Sequence, residues 1–434
     1  MRVAAVPRAV RGCRDRLERS AGGLATDAAL YGCSTLFAVG IGVVSALPPH
    51  RIWGLTAAPG YLIATVVVLA QLAARRRGRA PRLTGRPGRA GLTLFAVAAT
   101  TGLPLLWQSS RRAAGLPGHA QEEVRVVEHA GQRLLETGTP YLSRAEIAAL
   151  PVADQLSGYM PYQPGMALFG LPRALAGTAW WSDARVAFAV VTAVLLASAV
   201  LLLRRAGTPT GPLIRAVQAV AVLPAGALAL ATGGDDLPVV ALCLLALALT
   251  AHRRHGAAGL AVGLAAALKL IAWPVVLVLA IHAATQGRRA MTRLAAGGLG
   301  LPIMVLLPAQ FVDAAALAEN VLRFPLGHGL VGSPAASPLP GHLIATYLPG
   351  GRIIGALLLL AAGAAIAGWL VRRPATDAAR AALVCGYGLL AASLLMPATR
   401  FGYLLYPIAF LMWVPVLRRH RPAAAGVPQV VLVR

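Results

Sequence analysis

Apolar residues in this chain gather in runs separated by short segments rich in arginine, glycine and proline, at about 29–48, 54–73, 90–108, 183–203, 216–232, 237–251, 257–284, 294–309, 352–371, 382–396 and 403–417. Most approach the ~20 residues an α-helix needs to cross a bilayer. The pattern predicts an all-α polytopic membrane protein. The run 257–284 has arginine pairs at both ends, Arg253/Arg254 and Arg288/Arg289, and contains Lys269 and Pro274. Arginine-rich loops stay on the cytoplasmic side, so one span cannot satisfy both ends. Two short helices meeting near Lys269 can, which gives about twelve spans, within a range of 10–13. Residues 164–178 are apolar but short and interrupted by Pro172 and Arg173; they read as a half-helix or re-entrant piece, and as a wall for a lipid tail.

The segment RRRGRAPRLTGRPGR carries seven arginines from Arg75 to Arg89 and is expected to be cytoplasmic, with both termini on the same side. The span 90–108 then runs outward and delivers an acidic stretch to the extracytoplasmic face. Six of the fifteen acidic residues (Glu122, Glu123, Glu128, Glu136, Glu146, Asp154) lie between Gln121 and Asp154. Val124, Val127, Leu134 and Leu135 recur there at helical spacing, with Glu122, Arg125, Glu128, His129 and Gln132 largely on other faces. This predicts an amphipathic helix on the membrane surface, ended by Gly138 and Pro140.

Composition agrees with a membrane protein: 57% of residues are hydrophobic, 13% are charged, and mean hydropathy is +0.68. The formal net charge of +25 would suggest nucleic acid in a soluble chain. Membrane topology already accounts for the basic clusters, so no nucleic-acid partner is expected; the bilayer is. The expected organisation is a basic tail (1–28), two N-terminal spans with a basic loop (29–89), a membrane domain (90–417) and a C-terminal tail (418–434). The first run is long enough to act as an uncleaved anchor. Cys13, Cys33, Cys243 and Cys385 show no paired spacing, so neither a disulfide framework nor a metal cluster is indicated.

Lys269 is the single lysine beside 39 arginines, a bias that suggests a GC-rich bacterium, and it stands inside an apolar run. A charge there is costly and marks function by default. Its ammonium suits a phosphate oxygen, or pairs with Asp235 or Asp236, which follow two glycines at the outer end of a span. Those aspartates also suit sugar hydroxyls, a cation or a structural turn. Arg400, in the tight turn MPATRFGY, breaks the inward arginine bias and suits a lipid phosphate. Arg323 and His328 in the preceding loop are secondary candidates, and Tyr403 and Tyr406 read as interfacial aromatics. There is no glycine-rich phosphate loop, HExxH or GxSxG.

The order VVEHAGQRLLETGTPYL, YMPYQPGMALFGLP, AGLAVGLAAALKLIAWP and ATRFGYLLYP resembles bacterial glycosyltransferase family 87, integral-membrane enzymes of GT-C type that include polyprenyl-phosphate-mannose-dependent mannosyltransferases. The resemblance covers about residues 90–417. It implies a GT-C-like bundle with an extracytoplasmic loop carrying the amphipathic helix. Leu134, Leu135, Gly138, Pro140 and Tyr141 keep the family's first-loop pattern. Its acid falls on Glu123, a glutamate where aspartate is usual, and Val127 stands in place of an aromatic; Glu122 and Glu128 are alternatives.

The resemblance implies hexosyl transfer, mannose by preference, from a polyprenyl-phosphate sugar to a lipid- or glycan-borne hydroxyl, outside a bacterial cytoplasmic membrane, with inversion favoured. Glu123 would serve as base, Lys269, Arg400 and Arg323 as phosphate ligands, and Asp235, Asp236, Tyr141, Tyr162, His328 and Tyr403 as substrate contacts. No cofactor is required; a divalent metal is left open. The alternatives are a transporter or flippase of lipid-linked sugars, or an inactive scaffold of the same fold.

Overall fold

The computed structural model describes residues 20–418; Cys13, the 1–28 tail up to residue 19 and the 418–434 tail beyond Arg418 lie outside the described residues. The main helices are α1 (Leu24–Val44), α2 (Pro48–Arg76), α3 (Arg86–Ala113), α4 (Glu122–Thr137), α5 (Ala184–Arg205), α6 (Thr210–Ala221), α7 (Pro224–Thr232), α8 (Asp236–Ala251), α9 (His255–Leu268), α10 (Trp273–Thr285), α11 (Arg288–Ala318), α12 (Gly351–Arg372), α13 (Ala378–Leu395) and α14 (Leu405–Leu417). Among the described residues there is no strand, only an isolated bridge between Ala336 and Thr399. Seven helices are long and apolar enough to cross a membrane, α6 and α7 form a pair bent by 46°, and four shorter apolar stretches complete the set. The all-α polytopic architecture is the expected one.

The centre is α8. Leu237 to Thr250 is buried along almost its whole length, as befits a helix apolar on every side. It packs against α5, α9, α13 and α14. Small residues set the closest crossings: a Cβ on Gly54 of α2 would stand 2.4 Å from the Gly42 nitrogen of α1, and one on Gly263 of α9 would stand 2.1 Å from the Gly297 oxygen of α11. Without a hydrophobic drive between helices in lipid, such close backbone approach supplies the packing.

The lysine hairpin is present. Lys269 is extended (φ −147°, ψ 142°) between α9 and a short 3-10 turn, Leu270–Ala272. Val262 and Val276, seven residues to either side, both meet Gly298 of α11, so α9 and α10 run back alongside one another.

Helix α1 starts at Leu24, ahead of the apolar run that begins at Ala29. Asp27 interrupts the hydrophobic pattern, but Arg89 of α3 grips it at 2.6 Å and Arg215 of α6 at 3.0 Å. Neutralised in this way, the aspartate lies buried within the helix and fastens the N-terminal pair to the remainder of the bundle.

Two expectations are corrected. Helix α4 turns Val124, Val126, Val127, Ala130 and Gly131 into protein, not toward a membrane surface; a Cβ on Gly131 would stand 2.5 Å from the Gly170 carbonyl carbon. Residues 164–178 do form a short, interrupted piece, a 3-10 helix (Pro164–Gly170) followed by a short α-helix (Leu171–Ala176), but they serve as the seat of α4 and not as a lipid-tail wall, being absent from the wall of the main cavity.

Candidate active site

The acidic end of the bundle opens into a cavity of about 2580 Å³. Its polar floor is made by chain segments brought together from across the sequence.

Asp235 and Asp236 stand at the N-terminus of α8, where the helix dipole favours negative charge. Lys269 reaches them from the hairpin break, its Nζ 2.8 Å from Asp235 Oδ2 and 2.6 Å from Asp236 Oδ1. The same ammonium sits 4.6 Å from the centre of the Tyr162 ring, and the Tyr406 hydroxyl donates to Asp236 Oδ1 at 2.7 Å. An ammonium has three N–H donors. One donor goes to Asp236 Oδ1, Asp235 lies within ion-pair distance without hydrogen-bond geometry, and the aromatic face flanks the same ammonium, so this lysine is the counter-charge of the aspartate pair. The break holds its shape because the Gln163 amide donates to the Leu268 carbonyl at 3.1 Å, which ties the YMPYQPG segment to the hairpin tip.

Across the cavity Glu123 pairs with Arg400. Glu123 lies in the first turn of α4, whose entry is fixed by Gln121. The Gln121 amide nitrogen donates to the Thr232 carbonyl at 2.9 Å, its side-chain oxygen accepts from Thr232 Oγ1 at 3.1 Å, and its side-chain nitrogen lies 2.7 Å from His50 Nε2. Arg400 is aimed by a pinned turn: Thr399 exchanges backbone bonds of 2.9 Å with Ala335 and Ser337, and its hydroxyl donates to the Ser393 carbonyl at 2.8 Å. The Arg400 side chain keeps 34% of its surface exposed, against 10% for Lys269. Of the two cations, Arg400 therefore retains room for a ligand.

Glu122, Glu123, Asp235, Asp236, Tyr162, Lys269, Arg400 and Tyr403 all line the cavity. Glu128 does not: Arg112 grips both its oxygens at 2.7 and 2.5 Å and the Ala184 amide donates to it at 3.2 Å, which makes it a buried strut. Tyr141 is also off the wall, and its hydroxyl donates to the Tyr162 carbonyl at 2.8 Å, supporting that residue from behind. Arg323 is largely exposed and pairs with Glu319 at 3.6 Å, and the His328 carbonyl accepts from Arg144; neither side chain lies on the cavity wall. Sequence reading missed His50, Gln121 and Arg125, which line the site. It also left Tyr406 an interfacial aromatic. His50 lies in what reads as a plain connecting loop, and nothing local marks it. Among the described residues no group of three or more His, Cys, Asp or Glu is arranged to hold a metal ion.

No curated protein matches the chain. Among solved structures, the crystal structure of ArnT from Cupriavidus metallidurans in the apo state is similar, with 17% identity and a TM-score of 0.41, over 68% of this chain and 54% of that one. The chain thus spans about half the length of that relative. The profile of glycosyltransferase family 87 matches residues 159–397, from the Tyr162 segment through the lysine hairpin to the turn before Arg400. That match takes in more than half of the chain, and the protein belongs to glycosyltransferase family 87.

Proposed function

We propose that the protein transfers a hexose, mannose by preference, from a polyprenyl-phosphate sugar to a lipid- or glycan-borne hydroxyl on the extracytoplasmic face of a bacterial cytoplasmic membrane, with both termini cytoplasmic. The observation that carries this reading is the Glu123–Arg400 pair on the wall of a cavity that also runs between apolar helices. A lipid-linked phosphate sugar needs both features, a cation for its phosphate and an apolar path for its chain.

Arg400 binds the donor phosphate through its planar fork. In doing so it loosens its hold on Glu123, whose carboxylate becomes available as a base once donor is bound. Glu123 takes the acceptor hydroxyl proton and the acceptor oxygen bonds to the anomeric carbon. The bond from that carbon to the phosphate oxygen breaks, and its electron pair leaves on the lipid phosphate. Attack opposite the leaving group gives inversion. General-base help of this kind is worth about 10²–10⁴-fold in rate, and fixed positive charge meets the charge that grows on the phosphate. Asp235, Asp236, Tyr162 and Tyr403 offer acceptors and donors to the sugar hydroxyls. The scheme routes no step through a cofactor, and transfer measured with and without a chelator tests whether a divalent metal takes part.

The test is transfer of label from polyprenyl-phosphate mannose to lipids in membranes carrying the wild-type chain, Glu123→Gln or Arg400→Ala. Product from wild type alone supports the reading. Folded wild-type protein that moves intact lipid-linked sugar across the bilayer and forms no glycosidic product is a transporter instead.

A further inference from the structure

Gln121 stands at the junction of three helices. It is the N-cap residue of α4, with φ −71° and ψ 162°, yet its side chain caps nothing in its own helix. Capping is the work of the shorter Ser, Thr, Asp and Asn side chains. The glutamine reaches outward instead, its amide meeting His50 Nε2 of α2 at 2.7 Å and Thr232 Oγ1 of α7 at 3.1 Å, while its backbone nitrogen donates to the Thr232 carbonyl at 2.9 Å. Glu123 follows two positions after Gln121, and Asp235 three positions after Thr232. One residue thus ties the two acidic segments of the site together.

Room for that side chain is built in. A Cβ on Gly233 would stand 2.5 Å from Gln121 Oε1, with the next atoms 3.6 and 3.9 Å away. The Gly233 backbone has φ −128°, outside the left-handed region that favours glycine, so the missing side chain serves the glutamine and not the turn. His50 is a fixed anchor. Pro48 and Pro49 open α2 just before it with their preset φ, and three residues on the Trp53 indole donates to the Thr100 carbonyl at 2.9 Å. Gln121 and His50 both lie outside the family match, which begins at residue 159.

We infer that Gln121, braced by His50, is a positioning residue that sets the distance between Glu123 and the Asp235–Asp236 pair. The inference rests on the transferase reading above, in which that distance separates the base from the sugar, and it adds a role for the N-terminal helix pair. The valine face of α4 seats the body of the helix on Gly170; Gln121 holds its head. Misplacing reacting groups by about 1 Å can cost about 10²-fold in rate, so the effect falls on kcat.

The test has two parts. In transfer assays with polyprenyl-phosphate mannose, Gln121→Ala is expected to lower kcat by about 10–100-fold and to change the donor KM by less than about threefold. His50→Ala moves kcat the same way. His50→Gln, whose amide takes the place of Nε2, recovers most of that loss, and His50→Asn, whose amide takes the place of Nδ1, does not. Gly233→Ala displaces the flexible end of the glutamine, so it lowers kcat in the wild-type background and adds nothing to Gln121→Ala. A loss carried by the donor KM, a His50→Gln protein no better than His50→Asn, or additivity of Gly233→Ala with Gln121→Ala overturns the assignment.

The second part needs no turnover. Backbone amides at 122–127 are expected to exchange hydrogen faster in Gln121→Ala and His50→Ala than in wild type, while those at 130–136 keep their protection because the seat on Gly170 remains. Exchange along α4 that matches wild type in both variants overturns the inference. If wild type makes no product at all, the transferase reading fails, and the exchange pattern still decides whether Gln121 and His50 hold the head of α4.

Discussion

Lys269 Nζ lies 2.6 Å from Asp236 Oδ1, with Asp235 at 2.8 Å on the same ammonium. Two carboxyl groups and one ammonium are thus gathered in one buried cluster. Removing the cation leaves two adjacent carboxylates at low dielectric, and breaking a buried pair in this way costs about 3–5 kcal/mol. Lys269→Met is expected to give little folded protein by fluorescence-detected size exclusion, and adding Asp235→Asn and Asp236→Asn to restore it. A Lys269→Met protein that folds like wild type and only raises the donor KM would make this lysine a phosphate ligand.

Glu123 and Arg400 are expected to be strongly non-additive. Glu123→Gln lowers kcat by about 10²–10⁴-fold, whereas Arg400→Lys retains the charge, loses the fork and acts mainly on the donor KM. If the two side chains act as one unit, the double variant is no worse in kcat/KM for the donor than the poorer of the two single variants. A double-mutant cycle in steady-state kinetics measures this, and full additivity would mean that the two side chains act independently.

The seat of α4 offers a lever far from the chemistry. A methyl group on Gly170 would stand 2.1 Å from the Val127 carbonyl oxygen, so Gly170→Ala must lift α4 from its seat. Overpacking of this kind costs about 1–3 kcal/mol. The lift also moves Glu123 at the head of the same helix. A fall in kcat with little change in either KM, along with a lower melting temperature, is the expected outcome.

Acid should loosen the loop that follows α4. Ser143 caps the short helix Arg144–Ala149, with Glu146 accepting from the Ser143 amide at 2.7 Å. These bonds hold the Glu146 carboxyl below its ordinary value of 4.5. A depressed carboxylate stabilises the fold fully above the unfolded value and loses that contribution as pH falls through the lower folded one. Proteolysis between Tyr141 and Leu156 is therefore expected to rise as pH drops below about 4.5. Glu146→Gln should show faster cleavage at neutral pH and a flatter pH response.

Much of this protein was legible in the sequence because a bilayer leaves a chain few choices. The apolar runs, the arginine clusters beside them and the conflict of arginines around 257–284 led to the helices and to a break at Lys269, since backbone polar groups in lipid must be satisfied within a helix. Glu123, Arg400 and the aspartate pair stood out as charges in places where charge is scarce. Pairing was another matter. Lys269 lies 33 positions from Asp236 and Arg400 lies 277 from Glu123, and no periodicity in one segment encodes the distance between two. Glu128 and Glu123 look alike in sequence, yet one turns toward Arg112 and the other toward the cavity because α4 rolls its valine face onto Gly170. His50 joined the site through contacts that tie the N-terminal helices to the bundle, among them Asp27 with Arg89 and Arg215 and the Tyr61 hydroxyl on the Val222 carbonyl. Hydrophobicity, a local quantity, determined which segments became helices. The contacts of small and charged side chains across those helices, which depend on the whole packed bundle, decided which residues meet in the site.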